Sequence, residues 1–289
     1  MSDIKGKLNQ LYANRSLDYL SNDPLSFCHR YSNQADQEIA AIIASSFAYG
    51  NVKIILRTLD KIFAELGASP VKYIESFDPK KGLKTFSGFK HRFNDGRDLC
   101  ALLAAIKQMI ERKGSIQSFF MQGHSPKDND VSNSLNSYIT GIMQLEYSDI
   151  FGGENIPADS YFSFLFPSPS TGSACKRLCM MLRWLVRPAD GIDLGIWKGI
   201  SPAQLIIPVD THISRISRYL GFTERKSADW RMAQEITATL KGIDPDDPVK
   251  YDFALAHLGI SAGCDGTNLD LCESCSIASV CKQSRKRWK

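Results

Sequence analysis

Apolar residues recur along this chain every three or four positions, the period of an amphipathic helix, and no stretch alternates convincingly with the period of a strand. Ile39, Ile42, Ile43, Ser46 and Phe47 form one face behind a cap at Asn33 or Asp36, and Gly50 ends that helix. Val52, Ile55, Leu59, Ile62, Phe63 and Leu66 make the next stripe; Gly67 stops it, and Ser69-Pro70 starts a short third helix. The spacing predicts antiparallel helices joined by tight turns. Further helices are predicted from Asn94 or Asp95 to about Glu111 and over 134–144, 174–187, 211–220, 228–241 and 248–258, the last with Asp247 as cap and Pro248 in its first turn. The expected fold class is all-α.

Two segments break the helical pattern. The polar stretch 121–133, with His124 and Pro126, reads as a surface loop. The stretch 161–173 sets four aromatics ahead of a Pro, Ser and Gly run that leads into a strong helix, a composition that can line a pocket.

Composition changes this picture little. Hydrophobic residues are 43% and charged residues 23%, the balance of a folded globular chain. No apolar run approaches the roughly 20 residues of a membrane-spanning helix, and the opening MSDIKGKLNQ lacks the apolar core of a secretory signal, so a cytoplasmic protein without a membrane partner is expected. A net charge of +4 is mild support for a polyanionic partner. The basic residues Lys282, Arg285, Lys286, Arg287 and Lys289 crowd next to Trp288, where they either contact phosphates or form a solvated terminus.

Of the eight cysteines, Cys28, Cys100, Cys175 and Cys179 are scattered through apolar or helical surroundings and read as packing. Cys264, Cys272, Cys275 and Cys281 form C-x7-C-x2-C-x5-C and read as a ligand set. Four thiolates suit tetrahedral zinc or a four-iron cluster equally well. A second signal is Pro208-Val209-Asp210-Thr211-His212, a carboxylate after an apolar segment and just before a helix. Aspartate there is ordinarily a cap, but it can also face a cleft and stabilise a developing cation. The third is Thr171-Gly172-Ser173-Ala174-Cys175-Lys176, a small-residue turn whose backbone N–H groups at a helix start suit a phosphate.

In this order the three pieces resemble the helix-hairpin-helix DNA glycosylases, and the endonuclease III type in particular. Gly172-Ser173-Ala174-Cys175-Lys176 is similar to the family's G-x-G-x-K hairpin with Ala174 in place of the second glycine; Val209-Asp210-Thr211-His212 matches the catalytic segment, and Arg215 and the four cysteines follow. The likeness covers roughly 168–281. The first cysteine gap is one residue longer than the family's usual loop, and the run from Lys176 to Asp210 is also longer.

The resemblance implies a two-lobed architecture, a helical barrel over 31–206 and a second lobe of 1–30 with 207–289 that carries the cysteine loop. It implies a 4Fe-4S cluster on Cys264, Cys272, Cys275 and Cys281 in place of zinc, Asp210 as the catalytic carboxylate, and Lys176 as the amine nucleophile of a lyase. It also implies a monomer that grips double-stranded DNA through Gly172, Ser173, Ala174 and Arg215, with Tyr49 and Asn51 in the loop that fills the gap left by a flipped base. Oxidised pyrimidines in DNA repair follow from the endonuclease III likeness. The aromatic loop and the longer run resemble a branch that removes glucosylated hydroxymethylcytosine from phage DNA. The alternative is a non-catalytic DNA-binding protein with a cysteine-ligated metal staple.

Overall fold

Helices account for nearly all the regular structure in the computed structural model, which describes residues 2–153 and 155–284. Arg285, Lys286, Arg287, Trp288 and Lys289 of the basic tail lie outside the described residues. In chain order the helices are α1 (Ser2–Ala13), α2 (Gln34–Ser46), α3 (Val52–Leu66), α4 (Pro70–Glu75) and α5 (Pro79–Thr85), with two 3-10 turns, Leu17–Asn22 and Pro24–Arg30, between α1 and α2. A two-stranded hairpin, β1 (Lys90–His91) and β2 (Asn94–Asp95), precedes α6 (Gly96–Lys113), α7 (Ile116–Met121), α8 (Ser132–Met143) and α9 (Ser148–Phe151). The chain then runs through α10 (Lys176–Val186), α11 (Thr211–Leu220), α12 (Trp230–Lys241) and α13 (Asp252–Ile260) to the cysteine segment. The all-α class expected from the periodicity is the class observed.

Most helix starts are fixed by side-chain caps that the sequence advertises. Asn33 accepts from Ala35 N at 2.8 Å and opens α2, and Asn51 accepts from Lys53 N at 3.0 Å and opens α3. Asp36, the other candidate cap, instead turns to α4, accepting from Val71 N at 2.8 Å and Ser69 Oγ at 3.2 Å. Asp95 and Asp98 form a reciprocal capping box on α6. The expected helix over 248–258 begins four residues later, because the Asp247 carboxylate is occupied by the Arg187 guanidinium and does not cap. The hairpin escaped the sequence pattern because two residues a side are too few to show an alternation; it pairs Lys90 with Asp95 and His91 with Asn94.

The buried side chains form one continuous core from Leu8 to Ile277. Its centre is α10, whose Leu178, Met181, Trp184 and Leu185 are at most 1% exposed and which packs across α2. Burial of this kind stabilises by about 1.5–3 kcal/mol per large apolar side chain. The N-terminal segment divides: α1 lies against α13, with Tyr251 Oη donating to Asn9 Oδ1 at 2.8 Å, while the turn Pro24–Arg30 packs on α2 and α3. Helices α11 and α13 cross so closely that a Cβ on Gly259 would stand 2.3 Å from His212 Nδ1, so only glycine fits. Among the described residues no helix is long and apolar enough to cross a membrane.

Candidate active site and cysteine cavity

The start of α10 is built by a tight turn. A 3-10 turn, Pro169–Thr171, ends at Gly172 in the left-handed region (φ +79°), and Cys175, also left-handed at φ +47°, leads into Lys176. The left-handed positions are therefore Gly172 and Cys175; Ala174, matched to the second hairpin glycine, is not one of them. Gly172 and Thr171 are exposed, and a Cβ on Gly172 would meet nothing within 4 Å, so its exchange costs backbone strain alone. The Gly172 carbonyl accepts from Trp230 N at 3.0 Å, and Ser173 bridges to Asp229, which ties the turn to the start of α12.

The segment before α11 is apolar because it is buried. Leu205, Ile206, Ile207 and Val209 are at most 3% exposed, and Ile207 N donates to Thr237 Oγ1 of α12 at 3.0 Å. This delivers Asp210 to the first turn of α11, where Oδ1 accepts from Ile213 N at 2.8 Å. Oδ2 makes no hydrogen bond or ion pair among the described residues, and neither does Lys176 Nζ. Lys176 and Asp210, 34 residues apart in sequence, line one small cleft of about 60 Å³, together with Asp23, Arg183, Asp252 and His257.

Beneath this cleft lies a buried ionic network. Arg183 Nε bonds Asp193 Oδ1 at 3.1 Å while its Nη1 bonds Asp252. One turn on, Arg187 pairs with Asp193, with Asp190 at 3.2 Å and with Asp247 at 2.9 Å, and Arg15 reaches Asp190 at 3.0 Å. The set holds four carboxylates, Asp190, Asp193, Asp247 and Asp252, against three guanidiniums, Arg15, Arg183 and Arg187. Burial pushes the Asp252 carboxyl up to about 6; Arg183 and Lys176 oppose the shift and Asp210 adds to it. Asp193 is likewise raised by burial against Arg183 and Arg187. Burial also works against ionised Asp190, but hydrogen bonds from Tyr12 and the Asp193 backbone, with Arg187, carry it down to about 2. His257, at the rim, stacks on Tyr19 at 4.4 Å and 9°, and burial lowers it from the usual imidazole range.

The residues that sequence reasoning missed here are Asp23, Arg183, Asp252 and His257. They carry no local motif; three elements bring them together. His212 and Arg215, by contrast, turn to the cysteine segment: Arg215 Nη2 donates to His212 Nδ1 at 3.2 Å and to the Cys264 carbonyl at 2.7 Å.

Cys264, Cys272, Cys275 and Cys281, though up to 17 residues apart, line one apolar cavity of about 210 Å³ beside Ile216, Tyr219 and Leu258. Among the described residues no group of three His, Cys, Asp or Glu side chains is gathered as a metal-ion site. Burial pushes the Cys264 and Cys275 thiols up. The other four cysteines are at most 1% exposed, and burial pushes Cys100 and Cys175 up to about 12, so they are inert packing.

Tyr49 and Asn51 lie at the turn between α2 and α3. Asn51 is exposed and spends its side chain on the α3 cap. Tyr49 is held on every side: its hydroxyl lies 2.9 Å from the His91 carbonyl and 2.5 Å from Asn94 Oδ1, its ring meets Phe164 edge-on at 5.1 Å, and Arg177 lies over it at 4.9 Å. Arg177 is buried, donates to the Ser46 carbonyl at 2.6 Å and to the Phe164 carbonyl, and is lowered to about 10 by burial. Lys282, the described member of the basic tail, is exposed, and its N–H donates to the Tyr219 carbonyl at 2.8 Å.

Neither curated proteins nor solved structures yield a match to this chain. A family model matches residues 23–261, which takes in the cleft and stops just before the four cysteines. The chain thus belongs to the family described as protein of unknown function (DUF2400).

Proposed function

We propose that this protein is a DNA glycosylase of the helix-hairpin-helix kind, with lobes 31–206 and 1–30 plus 207–289 and a 4Fe-4S cluster held by Cys264, Cys272, Cys275 and Cys281. The observation that carries the reading is the meeting of Lys176 and Asp210 in one cleft, each with its reactive atom uncommitted. A lone cap needs no second charged partner across a cleft. Breaking an N-glycosidic bond sends its electron pair out with the base and leaves positive charge on the sugar, which the free Asp210 oxygen is placed to stabilise. Reaching that bond requires the nucleotide to leave the duplex, with Gly172 and Ser173 at the exposed helix start contacting phosphates. Water attacking C1′ leaves an abasic site; a neutral Lys176 amine attacking instead leaves a Schiff base and gives strand cleavage.

The donor set fits the cluster. Four thiols lining one apolar cavity are the donor set of a cubane, in which each iron takes one cysteine, and the likeness of this segment to the family's cluster loop favours the cubane over zinc. When bound, the cluster supplies a staple for the C-terminal segment; the cleft residues do the chemistry. The substrate is a damaged pyrimidine in DNA repair or a bulky glucosylated base in anti-phage defence, acted on in the cytoplasm by a monomer.

The test is base release from a panel of duplexes carrying oxidised and glucosylated nucleotides, followed by borohydride trapping. Trapping that Lys176→Gln abolishes assigns the nucleophile. A chain that binds the duplexes and releases no base is a non-catalytic DNA-binding protein.

A further inference from the structure

Three of the most exposed large aromatics lie together at the end of the molecule where α10 begins. Phe93 at the hairpin tip is 44% exposed, Tyr161 is 47% exposed, and Phe164 is 40% exposed. Phe93 stacks on Tyr161 at 5.4 Å and 21° and meets Phe164 edge-on at 5.8 Å. The outer faces of the rings remain in water. Burying them inside would have been favourable, so a fold that displays three in contact holds an apolar patch of the kind that marks a binding surface.

Hydrogen bonds fasten the patch, and exposed cations flank it. Asn94 donates to the Tyr161 carbonyl at 2.9 Å and to Asp98 Oδ2 at 2.9 Å, locking hairpin, aromatic loop and α6 together. Arg92, left-handed at φ +53°, lies 5.4 Å over the Phe93 ring and 6.0 Å from Tyr49. A non-glycine residue held there stores strain of the kind kept at functional sites. Lys90 and Arg92 are exposed and have no carboxylate partner among the described residues, whereas nearby Asp95 and Asp159 share the single guanidinium of Arg97. Buried Arg177 binds the Phe164 carbonyl and follows Lys176 directly in α10, so the patch is fastened to the helix that carries the cleft lysine.

We propose that Phe93, Tyr161 and Phe164 form a stacking shelf for unpaired nucleobases, with Lys90 and Arg92 taking the phosphates that connect them. Flat rings beside unpaired cations are what an unstacked strand requires: every base has a π-face and every linkage a negative charge. A protein partner would bring neither on a regular repeat. The inference rests on the DNA half of the proposed function and is independent of the chemistry of Asp210.

The experiment titrates the full chain against two duplexes, one fully paired and one with a single unpaired 2-aminopurine. The shelf predicts tighter binding of the second and quenching of its fluorescence as the base stacks. Phe93→Leu and Tyr161→Leu, which keep apolar bulk, should lose the quenching, and the Phe93→Ala, Tyr161→Ala pair should lose about 5- to 100-fold in affinity for the unpaired site. Unchanged affinity and quenching in those variants would overturn the shelf, as would equal binding of the two duplexes. So would a wild-type dimer that the alanine pair converts to monomer, since the patch would then be a self-interface. Because binding is read without turnover, a chain that stacks the base and never releases one sinks the glycosylase and leaves the shelf standing.

Discussion

Removing Arg183 is the sharpest test of the charge network under the cleft. In Arg183→Met the methionine keeps much of the stem's apolar packing, but Asp193 and Asp252, 2% and 4% exposed, lose the guanidinium between them. Asp193 keeps its ion pair with Arg187, so the charge left unpaired is that of Asp252. Breaking a buried pair from one side costs up to about 3–5 kcal/mol, but an orphaned carboxylate escapes by binding a proton. The Asp252 carboxyl is already raised to about 6, so the escape costs about 1.4 kcal/mol per pH unit above that value. The loss is therefore capped at about 2 kcal/mol at pH 7.5 and shrinks to almost nothing at pH 5. Spread over 289 residues, with about 2 cal/mol/K of unfolding entropy each, about 2 kcal/mol is a fall in Tm of about 3 °C at pH 7.5. Thermal unfolding followed by circular dichroism at both pH values measures the two deficits against wild type. A deficit equal at pH 5 and pH 7.5, or below about 1 kcal/mol at pH 7.5, would refute the argument that these carboxylates depend on Arg183.

The same network sets a pH dependence in the unaltered protein. The Asp252 carboxyl is raised to about 6 in the fold, so the native state holds its proton longer than the unfolded chain does. This contribution is complete below pH 4 and is lost as pH rises to about 6, roughly 3 kcal/mol in all; urea midpoints should show that slope in wild type and not in Asp252→Asn. Glu38 accepts from Gln117 N at 2.6 Å, Ile116 N at 3.2 Å and Trp197 Nε1 at 2.7 Å, so Glu38→Gln presents an NH2 group to a donor and should cost about 1–3 kcal/mol by urea unfolding. Protein purified anaerobically should be brown with iron and sulfide in near-equal amounts, and Cys275→Ser should lose colour and solubility; stoichiometric zinc without iron would contradict the cluster.

Much of this architecture was legible because helices advertise themselves locally. The stripe from Val52 to Leu66, the Asn33 cap and the Gly67 stop are short-range signals, and each came out where the spacing put it; Asn51, read as a DNA contact, is instead the cap of α3. Asp247 shows the limit. Asp247-Pro248 is a good helix start in sequence, yet Arg187, sixty residues earlier, takes the carboxylate and delays the helix to Asp252. The site divides in the same way. Asp210 and Lys176 stand in short patterns and were found; Asp252, Arg183 and His257 belong to the cleft only because the fold brings α10 and α13 to it, where Arg183 pairs with Asp252. The exposed faces of Phe93, Tyr161 and Phe164 were equally hidden, since an aromatic run in sequence looks the same whether its rings point into the core, as Phe162 does, or out of it.

The central claim is that the free oxygen of Asp210 does chemistry, and Asp210→Asn isolates it. The amide keeps an oxygen for Ile213 N, and asparagine caps a helix about as well as aspartate, so Tm should stay within about 1 °C and DNA affinity should hold. What disappears is the negative charge facing the cleft. Single-turnover base release should be measured with wild type and variant on the one modified duplex that the wild type processes. The account predicts a loss of at least about 10²-fold in rate with binding intact. Release by Asp210→Asn at the wild-type rate would reduce Asp210 to a helix cap and contradict the account.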